Sequence, residues 1–330
     1  MTIPSFRILK SNAAQRVEAS PSGKKVVLVY SGIITLMALL VTGTNFILDN
    51  QIAQTGGLSN MGLRTILSTI QSVLPMIQSA VVMCLEIGYL AAVLRISRRQ
   101  YTSEKTLKLG FDRFWLLLRS SLLQTSIFMA VCMAALWIAG QLFLFTPFGQ
   151  DAMDLMAPYT ADPAFTVELL LESDIYPQLV EAMLPMLFLF AVLYTGFCIP
   201  LTYSFRMVNY VIIDKPGLTG MAVLRESRKM MRGSRMRLFR LDLSLWWWHA
   251  LTALLSLICY GDMLLSMAGI SLPISADLAY FLFFGLYLAG QFAANYFLRN
   301  RVEVVYAQVY DALKPGEKND GVVLGNIFQM

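Results

Sequence analysis

Residues 24–48 read KKVVLVYSGIITLMALLVTGTNFIL: two lysines, then 23 residues without a charge. A helix rises 1.5 Å per residue, so a run of this length covers a hydrocarbon core of roughly 30 Å. A cleaved secretion signal carries an apolar stretch of only about 7–15 residues, with a small-residue cleavage site behind it. No such site follows here, and the run reads as an uncleaved first membrane span. Five more predominantly apolar runs of spanning length follow, over 66–94, 115–145, 183–213, 241–267 and 276–298.

The composition agrees with that reading. The chain has 330 residues, 57% hydrophobic and 14% charged, with a mean hydropathy of +0.60. Soluble domains carry about 25% charged residues. The expected fold is all-α, a polytopic membrane helix bundle of about six transmembrane helices. A basic N-terminal segment (1–25) precedes it and a tail (299–330) follows. The second, third and fourth runs exceed the needed length, so they are expected to tilt, kink or continue past the bilayer. Pro75, Pro185 and Pro200 lie inside runs, where each removes a backbone donor and favours a bend.

Lys and Arg set the orientation. Five lie in the N-terminal segment, six between Arg95 and Arg113, nine between Arg206 and Arg240, and four from Arg299 onward; only Arg64 and Arg119 of the 26 fall outside these segments. Residues 146–180 contain no Lys or Arg but six carboxylates. The alternation requires an even number of spans and puts both termini on the cytoplasmic side of a bacterial plasma membrane. The acidic stretch lacks the ligand spacing of an EF-hand and reads as a solvated outer loop.

Both long basic loops place leucine, methionine or phenylalanine among cations at roughly helical spacing, over 103–115 and 222–239. This suits interfacial amphipathic elbow helices on the cytoplasmic side, with the basic face on anionic headgroups. Gly110 and Gly233 precede the following spans, where a glycine permits a sharp turn. On the last span, Gly285, Ala289 and Ala293 form an i, i+4 row suited to close helix approach.

The second basic loop carries a further pattern: Asp214-Lys-Pro216, Ala222-Val-Leu-Arg-Glu-Ser227, Met231-Arg-Gly233, Arg237-Leu-Phe239 and Leu241-Asp-Leu-Ser244. These residues resemble the uncharacterised bacterial integral-membrane family catalogued as domain of unknown function nine hundred seventy-five. Pro216, Ser227, Gly233, Phe239, Asp242 and Ser244 carry the likeness. The sequence departs where the family usually follows the serine with phenylalanine, a small residue and tryptophan; here Leu245-Trp-Trp-Trp248 stands. The resemblance implies the six-span architecture and no chemistry.

Ionisable side chains inside a span cost roughly 2.5–3.5 kcal/mol each at its centre, so Glu86, Arg119, Asp242 and His249 form the candidate polar cluster. A Glu86–Arg119 pair is sterically plausible, the other arrangement being an Arg119 that snorkels to the interface, and Arg235 or Arg237 is the expected partner of Asp242. No catalytic, cofactor-binding or metal-ligating set is recognisable. The single histidine disfavours a multi-histidine metal site, and the four cysteines, all within apolar runs, form no C-x-x-C pair. Ser244 is five residues from His249 and would point away from it on a helix. No P-loop or Rossmann fingerprint occurs, nor any nucleic-acid motif. The reading is a non-enzymatic bundle acting through lipid, peptide or protein contacts, with transport or export assistance included and homo-oligomerisation left open. A membrane-embedded enzyme acting on a lipid is the alternative.

Overall fold

The computed structural model describes residues 4–54, 61–160, 175–267 and 274–314. Among them the secondary structure is helical throughout. The expected tail beyond 314, most of the acidic outer loop and the loop between the last two runs lie outside the described residues. Five helices are long and apolar enough to cross a membrane, or six if a bent pair counts as one span. The all-α bundle expected from the sequence is the fold observed.

The chain divides into two compact units, 1–118 with 207–330, and 119–206. In the larger unit, α1 (Phe6–Glu18) leads into α2 (Pro21–Gln54), followed by α3 (Met61–Ser97). A 3-10 turn (Glu104–Lys108) and the short α4 (Leu109–Asp112) start the way back. The unit resumes with α8 (Val208–Asp214), α9 (Gly220–Met230), α10 (Arg235–Ser244), α11 (Trp246–Cys259), α12 (Gly261–Met267), α13 (Ala276–Ala294) and α14 (Asn300–Leu313). A π-helical turn, Asn295–Arg299, joins the last two, so that Asp277–Leu313 is one continuous helix of 37 residues.

The smaller unit holds most of α5 (Phe114–Leu144), then α6 (Pro147–Thr160) and α7 (Tyr176–Phe205). Phe143, Ala152 and Leu179 are buried together there, with Met156 and Met183 packed against them. Thr146 starts α6: its hydroxyl accepts from the Gly149 amide at 3.2 Å, meeting one of the donors that a helix start leaves unpaired.

Two expectations change in detail. The fifth run is not one straight helix. Leu245, buried and outside helical geometry (φ −108°, ψ 18°), separates α10 from α11 with a 64° bend. The segment after Leu298 is the helix its amphipathic pattern predicts, but it continues the last span without a break. Val304, Ala307, Val309 and Tyr310 of α14 are completely buried, because the π turn carries the helix from the last span directly onto α1 and α3. Burial of each large apolar side chain contributes about 1.5–3 kcal/mol.

The two glycines do different work. Gly233 holds φ +82° in the turn between α9 and α10, the elbow expected of it. Gly110 instead lies inside α4 against α3, where a Cβ would stand 1.8 Å from the Cys84 carbonyl oxygen. The first basic loop is therefore a wedge on α3 rather than a free interfacial helix. Only α9 has the expected amphipathic form, burying Val223, Leu224 and Ser227 and exposing Arg225, Arg228 and Lys229.

Candidate functional site

The continuous last helix carries Arg299, Glu303, Tyr306, Tyr310 and Lys314 at steps of four, three, four and four residues, which is one face of a helix. Each of these residues meets polar groups from other elements. Arg299 donates to the Glu86 carboxylate and, at 2.9 Å, to the Tyr30 hydroxyl, which itself donates to Glu86. Tyr30 and Tyr89 stack at 4.5 Å between centroids, and the Arg299 guanidinium lies 5.1 and 5.0 Å from the two rings. Electrostatic attraction to the ring faces adds to the ion pair. Glu303 sits one turn on, 4.0 Å from Arg299, with the Tyr210 hydroxyl 3.5 Å away.

At the far end of the face Tyr210 stacks on Tyr310 at 5.3 Å, and Tyr310 donates to Asp214 at 3.1 Å. Asp214 also takes Lys314 at 3.0 Å and Arg98 at 3.0 Å, while Arg98 reaches Asp311 at 2.7 Å. Burial alone would lower the Arg98 pKa; hydrogen bonds to Asp311 and Asp214 outweigh it and hold the group above the ordinary arginine value. The whole forms a polar ladder running from Tyr30 to Lys314, which ties α2, α3 and α8 to the last helix.

Three other cations close helix ends. Lys10 donates to the Ser244 carbonyl of α10 at 2.7 Å, Arg16 to the Ser97 carbonyl of α3, and Arg113 to the Ile212 and Ile213 carbonyls of α8. The last carbonyls of a helix have no partner within it and carry partial negative charge, so a cation there is doubly favourable. Burial lowers the Arg113 pKa, the cost of taking that charge from water.

The residues singled out in the sequence are distributed as follows. Glu86 sits at the centre of the ladder, and its guanidinium partner is Arg299 rather than the candidate Arg119. Asp242 accepts the Tyr306 hydroxyl at 2.6 Å, so it too attaches to the last helix. His249 is exposed on α11, and Arg119, which opens the smaller unit, is also exposed. Of the motif residues, Ser227 is fully buried, Phe239 is 41% exposed, and the Ser244 hydroxyl donates to the Leu241 carbonyl at 2.6 Å. Pro216 stands in the turn after α8. The motif is thus a turn, a buried contact, an elbow and an aspartate tied to Tyr306.

A family model described as "Protein of unknown function (DUF975)" matches residues 31–288. The chain belongs to that family. The matched DUF975 region contains Glu86, Tyr89, Asp214 and Asp242, whereas Arg299 and α14 lie beyond it. No curated protein and no solved structure matches the chain.

Sequence reasoning missed Arg299, Tyr30, Tyr89 and the Arg98–Asp214–Asp311 cluster. The signal was present in the spacing of 299, 303, 306, 310 and 314, a stripe of ionisable side chains at helical steps.

Proposed function

We infer that this DUF975 protein is a multi-pass protein of the bacterial plasma membrane, with both termini cytoplasmic. It acts without catalysis, through contacts with lipid, peptide or protein, a class that includes assistance in transport or export. The supporting observation is the division of its surface. The long apolar helices carry exposed side chains such as Leu40, Ile47, Ile66 and Met76. The basic segments meet elsewhere in the larger unit, around α1, α3, α8 and α14. There, Arg225, Arg228, Lys229, Arg232, Arg237 and Arg240 stay exposed beside Met221, Met236 and Phe239. Cations interleaved with apolar side chains suit the boundary of an anionic leaflet, where each Lys or Arg contributes about 1 kcal/mol.

Reporter fusions test the orientation. A reporter after Lys314 is expected on the cytoplasmic side and one inserted between Asp151 and Asp154 on the opposite side. The same side for both would overturn the reading.

A further inference from the structure

The turn from α1 into α2 and the C-terminal end of α3 enclose a cleft of about 530 Å³. Arg16, Arg99, Ser20, Ser22, Gln100 and Tyr101 are among its walls, and no carboxylate lines it. Burial first, and then the Arg99 charge, lowers the Arg16 pKa, and Asp311, which is not among the cleft's walls, offsets part of that. Like charges held together in a cleft without a lining carboxylate favour an incoming anion.

The arginines differ in how they are held. Arg16 reaches the Ser97 carbonyl and hydroxyl through one terminal nitrogen, and its Nε is buried with no partner. An unpaired buried donor costs about 1–3 kcal/mol, more on a charged group. Arg99 occupies the left-handed position that ends α3, with φ +57°, where the Gln100 amide returns to the Arg95 carbonyl at 2.8 Å. Glycine is the ordinary residue at that position. Lys24 and Lys25 are exposed in the first turn of α2, adding charge on the same side.

We propose that this cleft binds a phosphate group, and that its source is the headgroup of an anionic phospholipid. A phosphate oxygen has the geometry to take two guanidinium donors, and arginine is the side chain best matched to it. The lipid source follows from the surroundings: α2 begins at the cleft and exposes Leu28 and Val29 within its first turns, with Ile8 exposed on α1. Acyl chains would lie along that apolar face. The phosphate site stands on the cleft alone; only the lipid source rests on the membrane reading above.

The test uses the full chain in a neutral detergent, with dihexanoyl phosphatidylglycerol and inorganic phosphate as probes at constant ionic strength. Saturable binding of phosphatidylglycerol is expected, weakened roughly tenfold or more by Arg99→Gly and by Arg16→Gln, since each removes a charge-assisted hydrogen bond. Arg16→Gln also removes the cap on α3 and can unfold the chain. Arg99→Gly cannot be dismissed that way, because glycine suits the left-handed position and its thermal midpoint should equal or exceed that of the parent. Arg301→Gln, which removes an exposed cation paired with Glu18 at 3.1 Å, should bind as the parent does. Inorganic phosphate should compete more weakly than the lipid. Competition at equal strength would overturn the lipid source while supporting the phosphate site. No saturable binding of either probe, or Arg99→Gly binding like Arg301→Gln, would overturn the site itself. Neither result would move the reporter fusions, so failure here is distinct from failure of the membrane reading.

Discussion

From Met61 to Met83 helix α3 buries none of its side chains, whereas from Cys84 to Ser97 it buries all but Glu86 and Arg95. Both halves are apolar, and neither composition nor helical periodicity separates them. The difference lies in what each half meets. The first exposes Ile66, Ile70, Met76 and Ile77, as suits a helix whose solvent is hydrocarbon. The second meets the wedge of α4 at near-backbone distance and packs against the face of α14. One half of the helix is specified by hydrophobicity alone, and the other by shape and by the pairing of charges.

The same substitution in the two halves tests this most severely. At Gly88 a Cβ would fall 2.3 Å from the Leu107 carbonyl oxygen, while at Gly62 nothing lies within 4 Å. Gly88→Ala is expected to cost more than about 4 kcal/mol, because backbone rather than a movable side chain stands in the way. Gly62→Ala should be neutral or stabilising by roughly 0.5–1 kcal/mol. Thermal midpoints in detergent check both, and equal midpoints would erase the distinction between the halves.

The charges of the buried half come next. Removing one partner of a buried pair costs about 3–5 kcal/mol, whereas removing both can be nearly neutral. Glu86→Gln and Arg299→Leu should each lower the yield of folded protein, and the double variant should recover much of it. Additive loss in the double variant would show that the pair is not coupled.

A smaller effect is expected where the ladder reaches α10. Tyr306→Phe removes one hydroxyl from Asp242 and should cost about 1.5 kcal/mol, the value of a hydrogen bond to a charged group. An unchanged midpoint would mean that the tie between α10 and α14 contributes nothing. The least effect is expected at the exposed Arg301–Glu18 pair, where Arg301→Gln should change stability by under about 0.5 kcal/mol. A larger loss would show that α1 is held on α14 by charge rather than by the buried Leu9, Ala13 and Val17.

The long apolar helices were legible because the length and hydropathy of each are carried by its own segment. The partner of Glu86 was not, because Arg299 is distant in sequence and stands where a span would otherwise end. Sequence position made Arg119 the natural candidate. The small-residue row does not mark the close helix approach within the chain, for a similar reason. Gly285, Ala289 and Ala293 are exposed, and the close approach falls at Gly290, where a Cβ would meet Leu255 of α11 at 2.5 Å. Periodicity identified the helix but not which of its faces a neighbour would choose. Gly233 was read correctly because a positive φ is a local demand that a glycine meets by itself.

The stacking of α1 on α14 has a consequence for how the protein is made. Tyr30 and Arg299 are 269 residues apart, and at roughly 5–20 residues per second a ribosome needs tens of seconds to produce the second after the first. Throughout that interval Tyr30, Glu86 and Tyr89 are without their guanidinium. Arg16 and Lys10 can close their helix ends earlier, but α1 gains its most extensive contact only when α14 emerges. The early helices must therefore wait, unfinished, until α14 is synthesised.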